Sequence, residues 1–290
     1  MNATASTRPG YDRSAGAHRP PTYETYLRLP ELLALQQPVS GEADELHFIV
    51  VHQAMELWFR LLAEDLRALV GLLDASRLAD CCTRLRRIND TMGVLLSQLR
   101  SLRGLPPAAF HAFRGRLAGA SGLQSVQFRE LEVISGLRDE AYLRAVRGAH
   151  GGALPAPVAA ALRHRSVADA HQDAARRDGL SGWTELYLPP RDGSVLYHLS
   201  ELLMDYDELW LRWRTEHVAL VRRVIGGATR GTGGTSISYL ERTLGHRFFP
   251  HLWELRDHLP GAVEGTDRVD QPYRGPIAGC PARDEGETHA

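Results

Sequence analysis

The chain has 290 residues, 43% of them hydrophobic, which is enough to bury one sizeable core or two modest ones. Its 34 basic and 35 acidic residues leave a net charge of −1, so no overall field attracts nucleic acid or an anionic membrane. Every one of the basic residues is arginine, and the absence of lysine argues against Schiff-base enzymes, P-loop nucleotide hydrolases and protein kinases.

The two ends of the chain lack helical periodicity and are rich in glycine, proline, alanine and charge. We predict a disordered tail over residues 1–20, one helical domain over 21–258 and a mobile tail over 259–290. No stretch approaches the roughly 20 apolar residues of a membrane span, and the start lacks the apolar core of a secretory signal. We therefore expect a cytoplasmic protein, in which Cys81, Cys82 and Cys280 are structural or incidental.

Apolar residues recur at three- and four-residue spacing along most of the chain, a pattern typical of helices rather than strands. The predicted helices cover residues 22–36, 42–74, 78–102, 107–117, 125–147, 157–177, 194–225 and 236–255. Segments rich in glycine and proline separate them at 148–155 and 179–193. The sequence therefore predicts an all-α fold.

The second predicted helix places Phe48 and His52 four residues apart, hence on one face. An imidazole beside a phenyl ring suits a pocket for an aromatic ligand. The same spacing is typical of a core histidine that bonds a backbone carbonyl. Spacing alone leaves both interpretations open.

Phe110 and Arg114 repeat this spacing, and Ser121 and Gly122 follow in a short turn. An arginine with an aromatic neighbour near such a turn can hold a carboxylate, because the guanidinium forks onto both oxygens. A solvated or structurally paired arginine is the alternative interpretation.

Trp213 and His217 also lie four residues apart, on a long amphipathic helix that leads into a glycine-rich segment. A neutral histidine on a helix can be an axial ligand of heme iron when its second nitrogen is held by a hydrogen bond. The chain has no CxxCH motif for covalent heme attachment and no HExxH motif for zinc. The spacing itself does not separate an iron ligand from a structural histidine.

The glycine-rich segment contains the loop GTGGTS at residues 231–236. Its glycines allow close backbone approach to a ligand, and Thr232, Thr235 and Ser236 offer hydroxyls to an ammonium group or a heme propionate. It does not fit a phosphate-binding loop, because it follows a helix and lacks lysine. A linker that ends the helix is the alternative.

Six stretches in a fixed order carry more information than any single pair. They are TYETYLRLPELLALQQP, DELHFIVVHQAMELWFRLL, FHAFRGRLAGASGLQSVQFRELE, WRTEHVALVRRVIGGATRGTGG, YLERTL and FFPHLWELR. Together they run from about residue 22 to 256 and resemble the tryptophan 2,3-dioxygenase superfamily. The resemblance implies that family's heme-binding helical bundle, with heme b as cofactor and O₂ as co-substrate.

The resemblance assigns the heme side of the site first. His217 matches the proximal ligand of the heme iron, and we place Trp213, one turn earlier, among the cofactor-binding residues. Ser121 and Gly122 match the turn beside the bound heme and substrate.

On the substrate side, His52 matches the distal histidine that hydrogen-bonds the indole nitrogen, and orients the substrate rather than acting as an obligatory base. Phe48 and Phe110 match residues that pack around the indole. Arg114 matches the arginine that binds the substrate carboxylate, and Thr232 matches the threonine that contacts the amino and carboxylate groups.

In the family, the N-terminal segment reaches into the active site of a neighbouring subunit. The resemblance therefore makes Tyr23 and Tyr26 substrate-binding residues in trans and implies a homotetramer built as a dimer of dimers. The expected partner is a small molecule, tryptophan or a derivative, with no nucleic acid and no membrane.

The reaction implied is insertion of both oxygen atoms into the indole ring, with cleavage of the C2–C3 bond to N-formyl-L-kynurenine, the start of tryptophan catabolism through kynurenine. Arg114 and Thr232 would hold the amino-acid end so that C2 and C3 lie near the oxygen. Tryptophan itself supplies the electrons.

Two features depart from the family pattern. The loop that usually reads GTGGSSG reads GTGGTSI here, so Ile237 replaces a glycine, and the connection from Ser121 to His217 is shorter. These departures leave two alternatives open. One is a biosynthetic monooxygenase that converts tryptophan or β-methyltryptophan to a 2-oxindole with an external reductant, and the other is a heme or ligand sensor without turnover.

Overall fold

The structure is a computed structural model that describes residues 20–117, 122–227 and 236–264. All regular secondary structure within these ranges is helical, which confirms the predicted all-α class. None of the helices described is both long and apolar enough to cross a membrane. Almost all of the two predicted tails lies outside the described residues, although the last helix continues beyond residue 258 to Glu264.

The helices, in chain order, are α1 Tyr23–Leu27, α2 Leu29–Leu33, α3 Asp44–Asp74, α4 Leu78–Ser101, α5 Pro107–Arg114, α6 Val126–Ser135, α7 Glu140–Ala149, α8 Ala156–Leu162, α9 Val167–Arg177, α10 Val195–Val224, α11 Ile237–Arg242 and α12 Pro250–Glu264. Short 3-10 turns follow α4, α5 and α11, and two more lie at Gly122–Gln124 and Trp183–Tyr187.

The chain divides into two compact units between Gln37 and Pro38. The first unit contains α1 and α2, which replace the single helix predicted over residues 22–36. Arg28 separates them, because its backbone is left-handed with φ of 54°. Thr22 caps α1, and neither short helix buries a residue within this unit.

The second unit is organised by three long helices, α3, α4 and α10. On each of them a row of buried positions alternates three and four residues apart, as in coiled-coil packing. The buried sets include Phe59, Leu62, Leu66, Leu69 and Leu73 on α3, Cys81, Leu85, Ile88, Met92, Leu95 and Leu99 on α4, and Leu196, Leu199, Leu203, Tyr206, Trp210 and Trp213 on α10. This seam forms the core against which the cavity described below is built.

Polar contacts set the register of these three helices. Asp65 of α3 is buried and accepts from Arg84 and Arg87 of α4, each at 2.9 Å. Asn89 of α4 donates to the carbonyl of Leu202 of α10 at 3.0 Å. A buried carboxylate or amide with its partners in place resists sliding of one helix along another, because any shift would leave it unpaired.

Three further predicted helices are divided in the structure, besides the one over residues 22–36. The predicted helix over residues 125–147 breaks at Gly136, which has a φ of +148°. A Cβ added at this position would lie 2.8 Å from the Cβ of Ala168 and 2.9 Å from the carbonyl oxygen of Phe248. Asp139 then caps α7. Ser166 starts α9 with a capping box inside the range 157–177, and Pro250 starts α12 inside the range 236–255.

A cluster of aromatic rings joins α9, α10 and α12. His171 is fully buried, with Nε2 2.9 Å from the hydroxyl of Ser200, and its ring stacks on Trp183 and on His251 at centroid distances of 5.0 and 5.7 Å. Burial lowers the pKa of His171 to about 3, aided by the neighbouring His251, and lowers the pKa of His251 to about 4. Both rings are therefore neutral in the folded protein near neutral pH.

This cluster predicts a loss of stability in acid. Its stabilising contribution is complete above about pH 6.5, the ordinary pKa of histidine, and is lost as pH falls toward the folded-state pKa values, because the unfolded chain binds the protons first. For the fully buried His171, the free energy of unfolding should fall by about 1.4 kcal/mol per pH unit in this window. Urea unfolding of His171→Gln should therefore show a shallower pH dependence than the unsubstituted protein.

The exposed His258 provides the matched control, and His258→Gln should keep the original pH dependence. Equal slopes for His171→Gln and the unsubstituted protein would contradict the assignment of acid sensitivity to this cluster.

Candidate active site

A cavity of about 240 Å³ lies within the second unit. Most of its lining side chains are apolar, and a few convergent polar groups are set among them, as is usual for small-molecule sites. The lining residues come from α3, α4, α5, α6, α10, α11 and the turns between them: Phe48, His52, Met55, Glu56, Phe59, Leu99, Leu102, Leu105, Phe110, Gly122, Ser125, Phe128, Arg129, Glu132, Trp213, Arg214, His217, Leu220, Val221, Val224, Ile225, Tyr239, Leu240 and Thr243.

On the α3 side, Phe48 and His52 lie against each other with ring centroids 4.0 Å apart. Nδ1 of His52 is 2.7 Å from the carbonyl oxygen of Phe48. In a neutral imidazole Nδ1 then carries the proton, which leaves Nε2 as an acceptor. The two interpretations left open by the spacing are therefore compatible, since His52 bonds a backbone carbonyl and also lines the cavity.

The protonation state of His52 follows from its surroundings. Burial lowers its pKa, and the Phe48 carbonyl and the carboxylate of Glu56 oppose that effect only in part. Glu56 is one turn further along α3, lines the same cavity and accepts from the amide of Gln127 at 2.8 Å. His52 is thus available near neutral pH as a hydrogen-bond acceptor.

The aromatic wall beside His52 comes from α5. Phe110 is buried with its centroid 5.8 Å from that of Phe48, and both rings line the cavity. Arg114, one turn after Phe110, has its guanidinium carbon 5.9 Å from the Phe110 centroid. It does not itself line the cavity, so the structure places it next to the site at the end of α5.

On the α10 side, His217 lines the cavity, and its ring stacks on that of Trp213 at 5.1 Å with an interplanar angle of 18°. Burial lowers the pKa of His217 to about 4, helped by His52 and the positive charge of Arg129. A neutral imidazole has a lone pair free for a metal ion or a hydrogen bond. The cavity therefore has a neutral histidine on α3 and another on α10.

Most of the lining residues were not predicted from the sequence, among them the polar residues Arg129 and Glu132 of α6, Arg214 of α10 and Tyr239 of α11. Arg129, Glu132 and Arg214 are 7%, 1% and 3% exposed. For the two residues of α6, the only signal in the sequence is the set of three charges in FRELEVI, which is equally typical of a solvated helix face.

The structure brings only some of the remaining expected residues to the cavity. Gly122 lines it, whereas Ser121 and Thr232 lie outside the described residues, as does the expected loop except Ser236. Tyr23 and Tyr26 belong to the first unit and are 77% and 74% exposed.

Ile237, which replaces a glycine of the family's loop, lies outside the lining of the cavity. It is the first residue of α11 and is buried, but it is not among the lining residues. Tyr239, Leu240 and Thr243, which follow it, provide the contribution of this region to the cavity wall.

Comparison with known proteins matches this chain to one family. The model for the family described as tryptophan 2,3-dioxygenase matches residues 10–184 and 183–259. A tryptophan 2,3-dioxygenase from Caulobacter vibrioides is 36% identical over 259 residues, which cover 82% of this chain and 98% of the relative. Enzymes of the same name from a Nocardioides species and from Pseudomonas fluorescens are 40% and 35% identical, over 82% of this chain and 94% and 91% of their own lengths.

Proposed function

Because this chain belongs to the tryptophan 2,3-dioxygenase family, we propose that it adds both atoms of O₂ to the indole ring of L-tryptophan and opens the C2–C3 bond. The product is N-formyl-L-kynurenine. Tryptophan supplies the electrons, so the reaction needs no external reductant. The observation that carries the proposal is that His52 and His217, both neutral and on different helices, line one apolar cavity.

The cofactor proposed for this cavity is heme b, and the residues present fit it. The apolar walls suit the faces of a porphyrin, and a neutral histidine in the wall, His217, suits its iron. In addition, Nε of Arg129 and Nε1 of Trp213 are buried without a hydrogen-bond partner among the described residues, and both side chains line the cavity beside His217. A group that brings anionic oxygens to this wall would satisfy them.

In this proposal His217 holds the iron, while Arg129 and Trp213 hold the propionates. When bound, heme supplies the binding and activation of O₂, which the side chains of this chain cannot supply themselves. The packing of His217 on Trp213 restricts rotation of the imidazole, and its low pKa keeps the lone pair free at neutral pH.

The substrate proposed is L-tryptophan, held at both ends. The indole N–H would donate to Nε2 of His52, which the bond from Nδ1 to the Phe48 carbonyl leaves as an acceptor. Phe48 and Phe110 would pack on the ring. Arg114 would bind the carboxylate, and Thr232 would bind the amino and carboxylate groups.

This arrangement makes orientation, rather than proton transfer, the main contribution of the chain. An indole fixed at its nitrogen and at its amino-acid end has C2 and C3 directed at the same point, which lowers the entropic cost of the reaction. We also propose that Ser121 and Gly122 form the turn beside both ligands.

We further propose a homotetramer in which the N-terminal segment of a neighbouring copy completes the site with Tyr23 and Tyr26. Two observations support this. Both tyrosines are largely exposed within their own unit, and α3 of the second unit has an exposed apolar stripe of Leu46, Val50, Leu57 and Leu61. Exposed apolar surface of this extent is typical of association sites. The cytoplasmic location stays a prediction.

The alternatives left open by the sequence gain no support. The substitution at Ile237 was one of the two departures that favoured a monooxygenase or a substituted substrate, and Ile237 does not line the cavity. The residues that do line it keep both histidines and the aromatic wall, as an enzyme of the ordinary family reaction requires.

The iron assignment is tested by His217→Ala loaded with hemin. We expect loss of the histidine-ligated ferrous spectrum and of product formation, because no other lining residue on α10 offers an imidazole. Free imidazole should restore part of the spectrum. His198→Ala, on the same helix but away from the cavity, is the control and should behave as the unsubstituted protein. A normal histidine spectrum in His217→Ala would refute the assignment.

The carboxylate assignment is tested by Arg114→Ala. Loss of a charge-assisted pair, worth about 1.5–3 kcal/mol, should weaken tryptophan binding at least about tenfold. Tryptamine, which lacks the carboxylate, and hemin should bind as before. Arg116→Ala removes an exposed neighbour that donates to the Val39 carbonyl, and should affect none of the three ligands. Equal loss of tryptophan and tryptamine binding by Arg114→Ala would rule out a carboxylate contact.

A further inference from the structure

The proposed function gives no role to Glu132, although this buried acid lies in the wall of the cavity. Its oxygens are fully engaged. Oε2 is 2.8 Å from Nη1 of Arg129 and accepts from the Tyr142 hydroxyl at 2.9 Å, and Oε1 accepts from Nη2 of Arg214 at 3.1 Å. One carboxylate thus connects α6, α7 and α10.

The two arginines of this cluster have hydrogen-bond donors that no group in the described part of the chain uses. Glu132 lies between Arg129 and Arg214, and Asp207, a second fully buried carboxylate, acts electrostatically on Arg214. Nε of Arg129 and Nε of Arg214 nevertheless have no hydrogen-bond partner among the described residues. Buried donors without a partner are costly unless a ligand completes their hydrogen bonds.

We propose that Glu132 is a positioning residue that fixes Arg129 and Arg214 in the cavity wall, so that Arg129 meets a carboxylate of the bound cofactor. The inference rests on the proposed function, because it takes the heme propionates as the ligand. It goes beyond that function because it makes Glu132, which does not itself contact the anion, responsible for the preference of the cavity wall for an anionic ligand.

The contacts of Glu132 explain how a buried carboxylate can favour the binding of an anionic ligand nearby. Without Glu132, two buried guanidinium groups would repel each other and turn apart. With it, Arg129 is held at one edge by the carboxylate and stacked at 4.4 Å over the ring of Phe128. Arg214 is held at its other edge by the carbonyl of His246 at 3.2 Å.

The protonation states are consistent with this arrangement. Burial alone would lower the pKa of Arg129, but the charge of Glu132 together with the neighbouring Tyr142 and Tyr239 outweighs that effect, and the pKa is raised. Burial and the same carboxylate raise the pKa of Tyr142, so its hydroxyl remains a donor to Glu132. Arg129 is therefore charged, and the Tyr142 hydroxyl keeps its proton, at pH values near neutrality.

The test compares hemin with hemin dimethyl ester, whose propionates are uncharged. The unsubstituted protein should bind hemin more tightly than the ester, and Glu132→Gln should reduce that preference at least about tenfold, because Arg129 is no longer held toward the anion. Tyr142→Phe, which removes one hydrogen bond to Glu132 and no charge, should reduce it by a smaller factor. The dissociation constants of hemin and of its dimethyl ester are measured by adding each to the apoprotein and following the Soret absorption band.

A matched control separates positioning from charge. Glu56→Gln also removes a carboxylate from the cavity wall, but Glu56 is held by Gln127 rather than by an arginine. It should not reduce the preference for hemin.

Several outcomes would overturn the inference. Equal weakening of hemin and ester in Glu132→Gln and Tyr142→Phe would make Glu132 merely structural, and no preference for hemin in the unsubstituted protein would exclude a propionate at this wall. A selective loss of tryptophan relative to tryptamine, with the hemin preference unchanged, would make the substrate the ligand instead. Product formation by the unsubstituted protein tests the proposed function separately from all of these.

Discussion

Desolvation of two histidines is the constraint on which the site depends. A histidine in water is protonated near its ordinary pKa of about 6.5 and then has no lone pair for a metal or an indole N–H. Here His52 and His217 line one largely apolar cavity, and desolvation there lowers the pKa of both. The long apolar seam is therefore more than a source of stability, since it sets the protonation state that the chemistry needs.

The same burial makes charge in the wall expensive, and three of its charged residues are almost fully buried. The contacts of Arg129, Glu132 and Arg214 are nearly complete within the protein, and the proposal gives the remaining guanidinium donors a ligand. An apolar wall would bind a porphyrin face equally well but would not orient its acidic edge. In the proposed function, orientation of the cofactor by charge and of the indole by His52 are two parts of one arrangement.

How much of this could be predicted depends on the range of the interactions involved. The bounds of α3 and α10 followed closely from the sequence, because apolar spacing and end signals such as Ser194 are local. The break at Gly136 could not be predicted, because it is imposed by Ala168 and Phe248, which are distant in sequence. Likewise, spacing placed His52 and His217 on helix faces, but their roles came from the family resemblance. The pairing of Glu132 with Arg214 cannot be predicted from a single sequence, because the two residues are 82 positions apart.

The central claim is that this cavity directs both atoms of O₂ into one tryptophan. The most direct measurement is the mass of the product that the hemin-loaded, reduced protein makes from L-tryptophan under ¹⁸O₂ without added reductant during turnover. The account predicts N-formylkynurenine with two labelled oxygen atoms in each molecule. A product with a single labelled atom and an intact C2–C3 bond would contradict it, as would the absence of product from a protein that binds both heme and tryptophan.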